Sequence, residues 1–402
     1  MRDRARSETQ SMFSSRTNWP LTPNRLSKLL RERRARGLPI LDLTESNPTH
    51  CGFAFNGEEI LAPFHNPRAL TYEPDPRGLR TGREAVAQYY SERGVHLDPD
   101  QIFLTASTSE AYSFVFRLLA NPGDKILAPQ PSYPLFDFLG TLNDVEVLPY
   151  PLVYDDGWQV DLEALASRWE SRVRAVLVVH PNNPTGSYIR TRERDRMIEI
   201  CHPSGAAIIA DEVFADYGLA ADPERMVTHA QNSEALTFTL SGLSKICALP
   251  QMKLGWIVVT GPPELRSQAQ ARLEVIADTY LSVSAPVALA TPAWLAHRHA
   301  IQSQILERVQ ANLRKLDELL TPSLPVSRLK VEGGWYAILR VPSTRSDEDW
   351  AAELLTQDGV SVHPGHFYDF PSEGFLILSL LPTREVFEDA LGKVISRICA
   401  QS

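Results

Sequence analysis

Short apolar runs that alternate with helical stretches narrow what this chain can fold into more than any other feature. IFLT (102–105), KILAP (125–129), VEVLPY (145–150), AVLVVH (175–180), AAIIADE (206–212), LTFTLS (236–241) and GWIVVT (255–260) have strand length and are apolar nearly throughout. Strands apolar on both faces belong in a sheet covered on both sides, and the recurrence of strand, helix, strand makes that sheet mostly parallel. The expected fold is α/β, with a mostly parallel central sheet flanked by helices.

Outside this region the pattern changes. Residues 26–36 read as a basic amphipathic helix stopped by Gly37 and Pro39, and about 285–320 reads as one long helix leading out of the sheet. Beyond it LKVEGGWYAILRV, a helix near 347–357, GVSVHPG, FLILSLL and a final helix from Arg384 suggest a smaller α/β unit with a short mixed sheet. At 402 residues the chain exceeds what one core usually holds. The expected division is an N-terminal segment (1–45) that joins a small domain, a large domain (46–288) and a small C-terminal domain (289–402).

Composition excludes several classes. Hydrophobic residues at 43% and charged residues at 22% suit a globular protein, not a disordered one. A formal net charge of -9 without a long single-sign block points away from nucleic acid and anionic membranes. The apolar runs fall short of the roughly 20 residues of a membrane span. Cys51, Cys201, Cys247 and Cys399 show no CxxC spacing, so neither a metal site nor a disulfide framework is expected, and a cytoplasmic setting is. The polar start, MRDRARSETQSMFSS, reads as a frayed terminus rather than a targeting peptide.

The chemistry centres on TLSGLSKICALPQMKLGWIV, where Lys245 follows a strand and a Ser/Gly turn. A lone lysine is ordinarily a solvated surface charge. Three upstream segments give this one a different context. HPNNPTG (180–186) puts Asn183 beyond a strand's carboxyl end, where open α/β sheets bind ligands; its amide could donate to a phenolate oxygen. IIADEVF (208–214) ends a strand in Asp211, a costly carboxylate unless a protonated pyridine nitrogen pairs with it. LTASTSEA (104–111) runs into a helix through hydroxyl residues, and Thr108 and Ser109 there, with Lys253 nearby, could hold a phosphate.

In this order the segments resemble the class I/II aminotransferases of the aspartate aminotransferase superfamily, from about Leu26 onward. YEPDPRGLRTGREAV (72–86), PQPSYPLF (129–136), EGGWY (332–336) and VSVHPGHFY (360–368) carry further resemblance. The resemblance implies fold type I, with pyridoxal 5'-phosphate on Lys245 as a Schiff base. It also implies Tyr133 stacked on the cofactor ring, and Tyr72 reaching the phosphate of a neighbouring subunit in a homodimer. The implied reaction is ping-pong transfer of an amino group between an amino acid and a 2-oxo acid. A lyase or decarboxylase on the same fold is the enzymatic alternative. A cofactor-sensing regulatory domain is the non-enzymatic one, for which the N-terminal segment offers no room for a winged helix.

Three positions depart from the family's pattern. Phe214 stands for the usual tyrosine, Lys253 for the commoner arginine, and Ile377 for the arginine that holds the substrate carboxylate. His366 is the first candidate to replace that arginine, followed by Arg80, Arg340 and His363.

Overall fold

The structure, a computed structural model of the chain, describes residues 12–281 and 283–401. Most of the polar start expected to fray, residues 1–11, lies outside the described residues. In chain order the strands are β1 (Leu41–Asp42), β2 (Ile102–Thr105), β3 (Lys125–Gln130), β4 (Glu146–Tyr154), β5 (Trp158–Val160), β6 (Val173–Val179) and β7 (Ala207–Asp211). They continue with β8 (Thr237–Gly242), β9 (Gly255–Thr260), β10 (Ser327–Arg328), β11 (Tyr336–Arg340), β12 (Val360–Ser361), β13 (His363–Pro364) and β14 (Phe375–Ser379).

The central sheet has the order β2-β9-β8-β7-β6-β3-β4-β5. The pairs from β8 through β7, β6 and β3 to β4 are parallel, and antiparallel strands close both edges. Strands β7, β8 and β9 are buried along their whole length, as their unbroken apolar runs require. Register matters most for function: Asp211 pairs with Val179 on one side and Leu240 on the other. The carboxyl ends of β6, β7 and β8 are therefore level, and the segments bearing Asn183, Asp211 and Lys245 emerge side by side.

β4 runs past its expected end at Tyr150 and turns back into the short edge strand β5, which the sequence pattern did not announce. Pro151 masked the continuation, yet it stands opposite Gln130 in the β3 ladder. The helix expected near 347–357 is α-helical for Asp347–Glu353 and widens into a π turn over Leu354–Asp358.

A second sheet, β10-β11-β14-β13, is antiparallel throughout. Tyr336 stands opposite Ser379, while Ile377 stands opposite both Ile338 and His363. Directly opposed residues share a face, so Tyr336, Ile338, Ile377, Ser379 and His363 line one side of this sheet. β1 pairs in parallel with β12, which ties the N-terminal segment to this C-terminal part. The 35-residue helix Ala285–Leu319 packs against helices Arg80–Ser91 and Arg384–Cys399 and so links the two sheets. Among the described residues no helix is long and apolar enough to cross a membrane, and no cluster suits a metal ion.

Candidate active site

Lys245 lies in the single helical turn Leu243–Ile246 that follows β8. Its backbone is held from two sides: the Tyr217 hydroxyl donates to the Lys245 carbonyl at 2.6 Å, and Gln302 Nε2 donates to the Ile246 carbonyl at 2.9 Å. The amine stands 4.9 Å from the centroid of the Trp335 ring and 5.4 Å from that of Phe214. Burial among these rings pushes its pKa down to about 8, against the opposing pull of the Asp211 charge. Phe214, the departure from the family's tyrosine, thus forms part of the apolar wall that keeps a neutral amine accessible near neutral pH.

Asp211 is buried at the end of β7. The Tyr112 hydroxyl donates to its Oδ2 at 2.8 Å and the Val213 N–H to its Oδ1 at 3.0 Å. Burial still raises its pKa, with these two donors and Lys245 opposing the shift. The carboxylate is therefore placed to gain from one more cationic N–H. Tyr112 escaped the sequence reading, because its contact spans 99 positions. Nothing in the order of residues announces that this helix face meets the tip of β7.

Asn183 sits beyond β6, and its side-chain oxygen is buried without a hydrogen-bond partner. Its loop is built around Asn182, which donates to the Pro131 carbonyl at 3.0 Å and accepts from Ser132 Oγ at 2.8 Å. Gly186 (φ +71°) lets this loop meet the second sheet: a Cβ there would lie 2.4 Å from the Gly333 carbonyl oxygen. The EGGWY segment is thereby seated directly against the HPNNPTG segment, which brings Trp335 over Lys245.

Tyr133 is half-buried, edge-on to Phe136 at 5.7 Å, and burial together with the Asp211 charge pushes its pKa up to about 12. Thr108 and Ser109 open the helix Thr108–Leu119, ahead of its first intrahelical bond from Ala111 N to Ser107 O. Their amides face out of the helix start, where anions bind. Lys253 is exposed in the left-handed region (φ 52°), two residues before Gly255, where an added Cβ would lie 3.0 Å from the Ser107 backbone.

Other candidates lie elsewhere. Arg80 is exposed and pairs with Glu84 at 2.8 Å and Asp100 at 3.5 Å. His366 is exposed too, edge-on to Phe367 at 4.8 Å and beside Asp369. Tyr72 is 74% exposed. Arg340 is exposed above Tyr154 and Phe375.

An amine, a buried acid short of one N–H, a side-chain amide with N–H donors and a helix start, all at the carboxyl edge of a parallel sheet, suit a flat heteroaromatic ring with a phosphate. The residues present fit pyridoxal phosphate. The family model for aminotransferase class I and II matches residues 58–394, and the chain belongs to that family. It is 26% identical over 366 residues to a glutamate-pyruvate aminotransferase of Haemophilus influenzae, covering 89% of this chain and 90% of that one. It is 28% identical over 363 residues to an alanine aminotransferase of Mycobacterium tuberculosis, covering 87% and 83%. The fold matches a solved alanine aminotransferase from Pyrococcus furiosus with a TM-score of 0.85 at 22% identity, covering 97% and 100%.

Proposed function

We propose that this enzyme moves an amino group between an amino acid and a 2-oxo acid, with pyridoxal 5'-phosphate held by Lys245, Asp211, Asn183, Tyr133, Thr108, Ser109 and Lys253. The observation that carries the reading is the Lys245 amine, kept partly neutral between Phe214 and Trp335 and facing the buried Asp211 carboxylate. When bound, the cofactor supplies an aldehyde carbon for amine exchange and an electron-withdrawing ring. The chain's own groups do the rest. Asp211 keeps a ring N–H in place, Asn183 donates to the ring oxygen, and Tyr133 covers one ring face. The Lys245 Nζ would take the proton from the substrate's amine-bearing carbon and deliver it to the cofactor's former aldehyde carbon, which a pKa of about 8 allows near neutral pH. One site serving amino donor and oxo acceptor in turn gives parallel-line, ping-pong kinetics.

The names of the relatives make L-alanine, L-glutamate and pyruvate the first substrates to try. The test adds single amino acids to the purified yellow holoenzyme without an acceptor. Loss of the absorption band with one equivalent of oxo acid per site supports transamination, whereas released ammonia or carbon dioxide overturns it in favour of a lyase or decarboxylase. We also propose a homodimer in which Tyr72, beside the 91% exposed Leu70, reaches the neighbouring phosphate. A monomer that kept full cofactor affinity on dilution would refute it. The free cysteines Cys51, Cys201, Cys247 and Cys399 support a cytoplasmic setting.

A further inference from the structure

A carboxylate entering a part-buried aromatic pocket needs donors, and a donor that can become charged binds it best. One face of the second sheet carries Tyr336, Ile338, Ile377, Ser379 and His363, and Tyr336 on it meets Phe214 of the lysine's surroundings. The aromatic contacts are continuous. Tyr336 stands 6.5 Å from Phe214, the ring beneath the Lys245 amine, and 6.3 Å from Tyr368. Tyr336 lies beside Tyr368 and beside Ser46 of the N-terminal segment. Tyr368 in turn meets His363 Nδ1 at 3.2 Å. The permanent cation of this face, Arg340, lies four residues beyond Tyr336, roughly 13 Å along an extended strand.

We propose that the substrate carboxylate is bound by the hydroxyl of Tyr336, backed through Tyr368 by His363, which takes up a proton as the carboxylate arrives. This residue set deepens the amino-acid reading above and rests on it. A hydroxyl chain can shift its protons together toward an anion placed at Tyr336, and a positive imidazole at the far end strengthens each link. Burial lowers the His363 pKa, and the nearby Asp42 charge on β1 opposes that shift. The other groups packed on the chain are Tyr368 itself, on which Tyr133 acts, with Glu45 and Cys51 acting on Tyr336. The sign follows: an arriving carboxylate favours the imidazolium, so binding is tightest at low pH and weakens as pH rises through the His363 pKa of the complex.

The test compares, on the holoenzyme, the best of the twenty amino acids with its own primary amide, which lacks the carboxylate. Tyr336→Phe raises KM for the acid about tenfold or more and leaves KM for the amide within about twofold. Tyr368→Phe does the same to a lesser degree, and His363→Asn flattens the pH dependence of the acid's KM. Adding Ile377→Arg to Tyr336→Phe restores acid preference, because residue 377 shares the face. Equal loss for acid and amide in both tyrosine variants would overturn the inference alone. If no amino acid reacts with the wild-type enzyme, the amino-acid reading falls first and takes this one with it.

Discussion

The two walls of the site are built on different electrostatic terms. On the central sheet, the tips of β7 and β8 offer Asp211 and Lys245, groups whose ionisation is set by burial and by partners such as Tyr112. On the second sheet and the helical turn Gly365–Tyr368 after β13, the groups are hydroxyls and an imidazole, Tyr336, Tyr368 and His363, with Ile377 among them. The first wall suits a cofactor that stays; the second suits substrates that must enter and leave. Binding that is strong in every state lowers KM without raising turnover, so a neutral, adaptable wall on the substrate side is consistent with exchange of one molecule for another.

The contrast can be broken at its strongest point by Lys245→Ala. Turnover should fall by about 10⁴-fold or more, with far-ultraviolet circular dichroism unchanged, since the amine supplies both attachment and proton transfer. A residual rate within tenfold of wild type would dissolve the distinction between the walls. Asp211→Asn should lower kcat by about 10²–10³-fold with a smaller change in KM, because it removes a buried charge that acts on the cofactor.

Tyr112→Phe sharpens the comparison without touching any atom that reacts. A hydrogen bond to a charged group is worth about 1.5–3 kcal/mol, so cofactor affinity should drop about tenfold or more. The loss should grow as pH falls: removing a donor to the ionised form raises the Asp211 pKa further above its usual value, and protonation then removes the counter-charge earlier. Titration of cofactor-free protein with pyridoxal phosphate at several pH values measures both effects. The smallest effect concerns wild-type protein: attachment of pyridoxal phosphate should speed up about fivefold between pH 7 and pH 8, as the lysine loses its proton. A rate still rising about tenfold per pH unit above pH 8 would show that Phe214 and Trp335 do not lower the amine's pKa to about 8.

Much of the first wall was legible before any coordinates. Lys245, Asp211 and Asn183 each sit at the end of an apolar run, and parallel strands in register bring such ends together. Tyr112 was not legible, because its meeting with Asp211 depends on how the helix after β2 lies over β7, which no local pattern records. The second wall was harder for a different reason. His363 and His366 are three residues apart in one loop-rich segment, and sequence alone favoured His366. Only the β13–β14 register shows that His363 shares a face with Ile377, whereas His366 points outward. The end of β4 was obscured by Pro151, since proline usually marks the end of a strand.

The double hold on the backbone at Lys245 and Ile246 has a further consequence. With Tyr217 and Gln302 gripping consecutive carbonyls, the lysine is a tethered base whose freedom is confined to its own side-chain rotations. If Lys245 carries the cofactor as proposed, an amine displaced by substrate would stay tethered within reach of the carbon to be deprotonated. Such tethering acts as a local concentration far beyond any attainable in solution, with effective molarities of about 10⁵ M and above for well-oriented groups. Loosening the grip, by Tyr217→Phe or Gln302→Ala, would dilute the base without changing its chemistry.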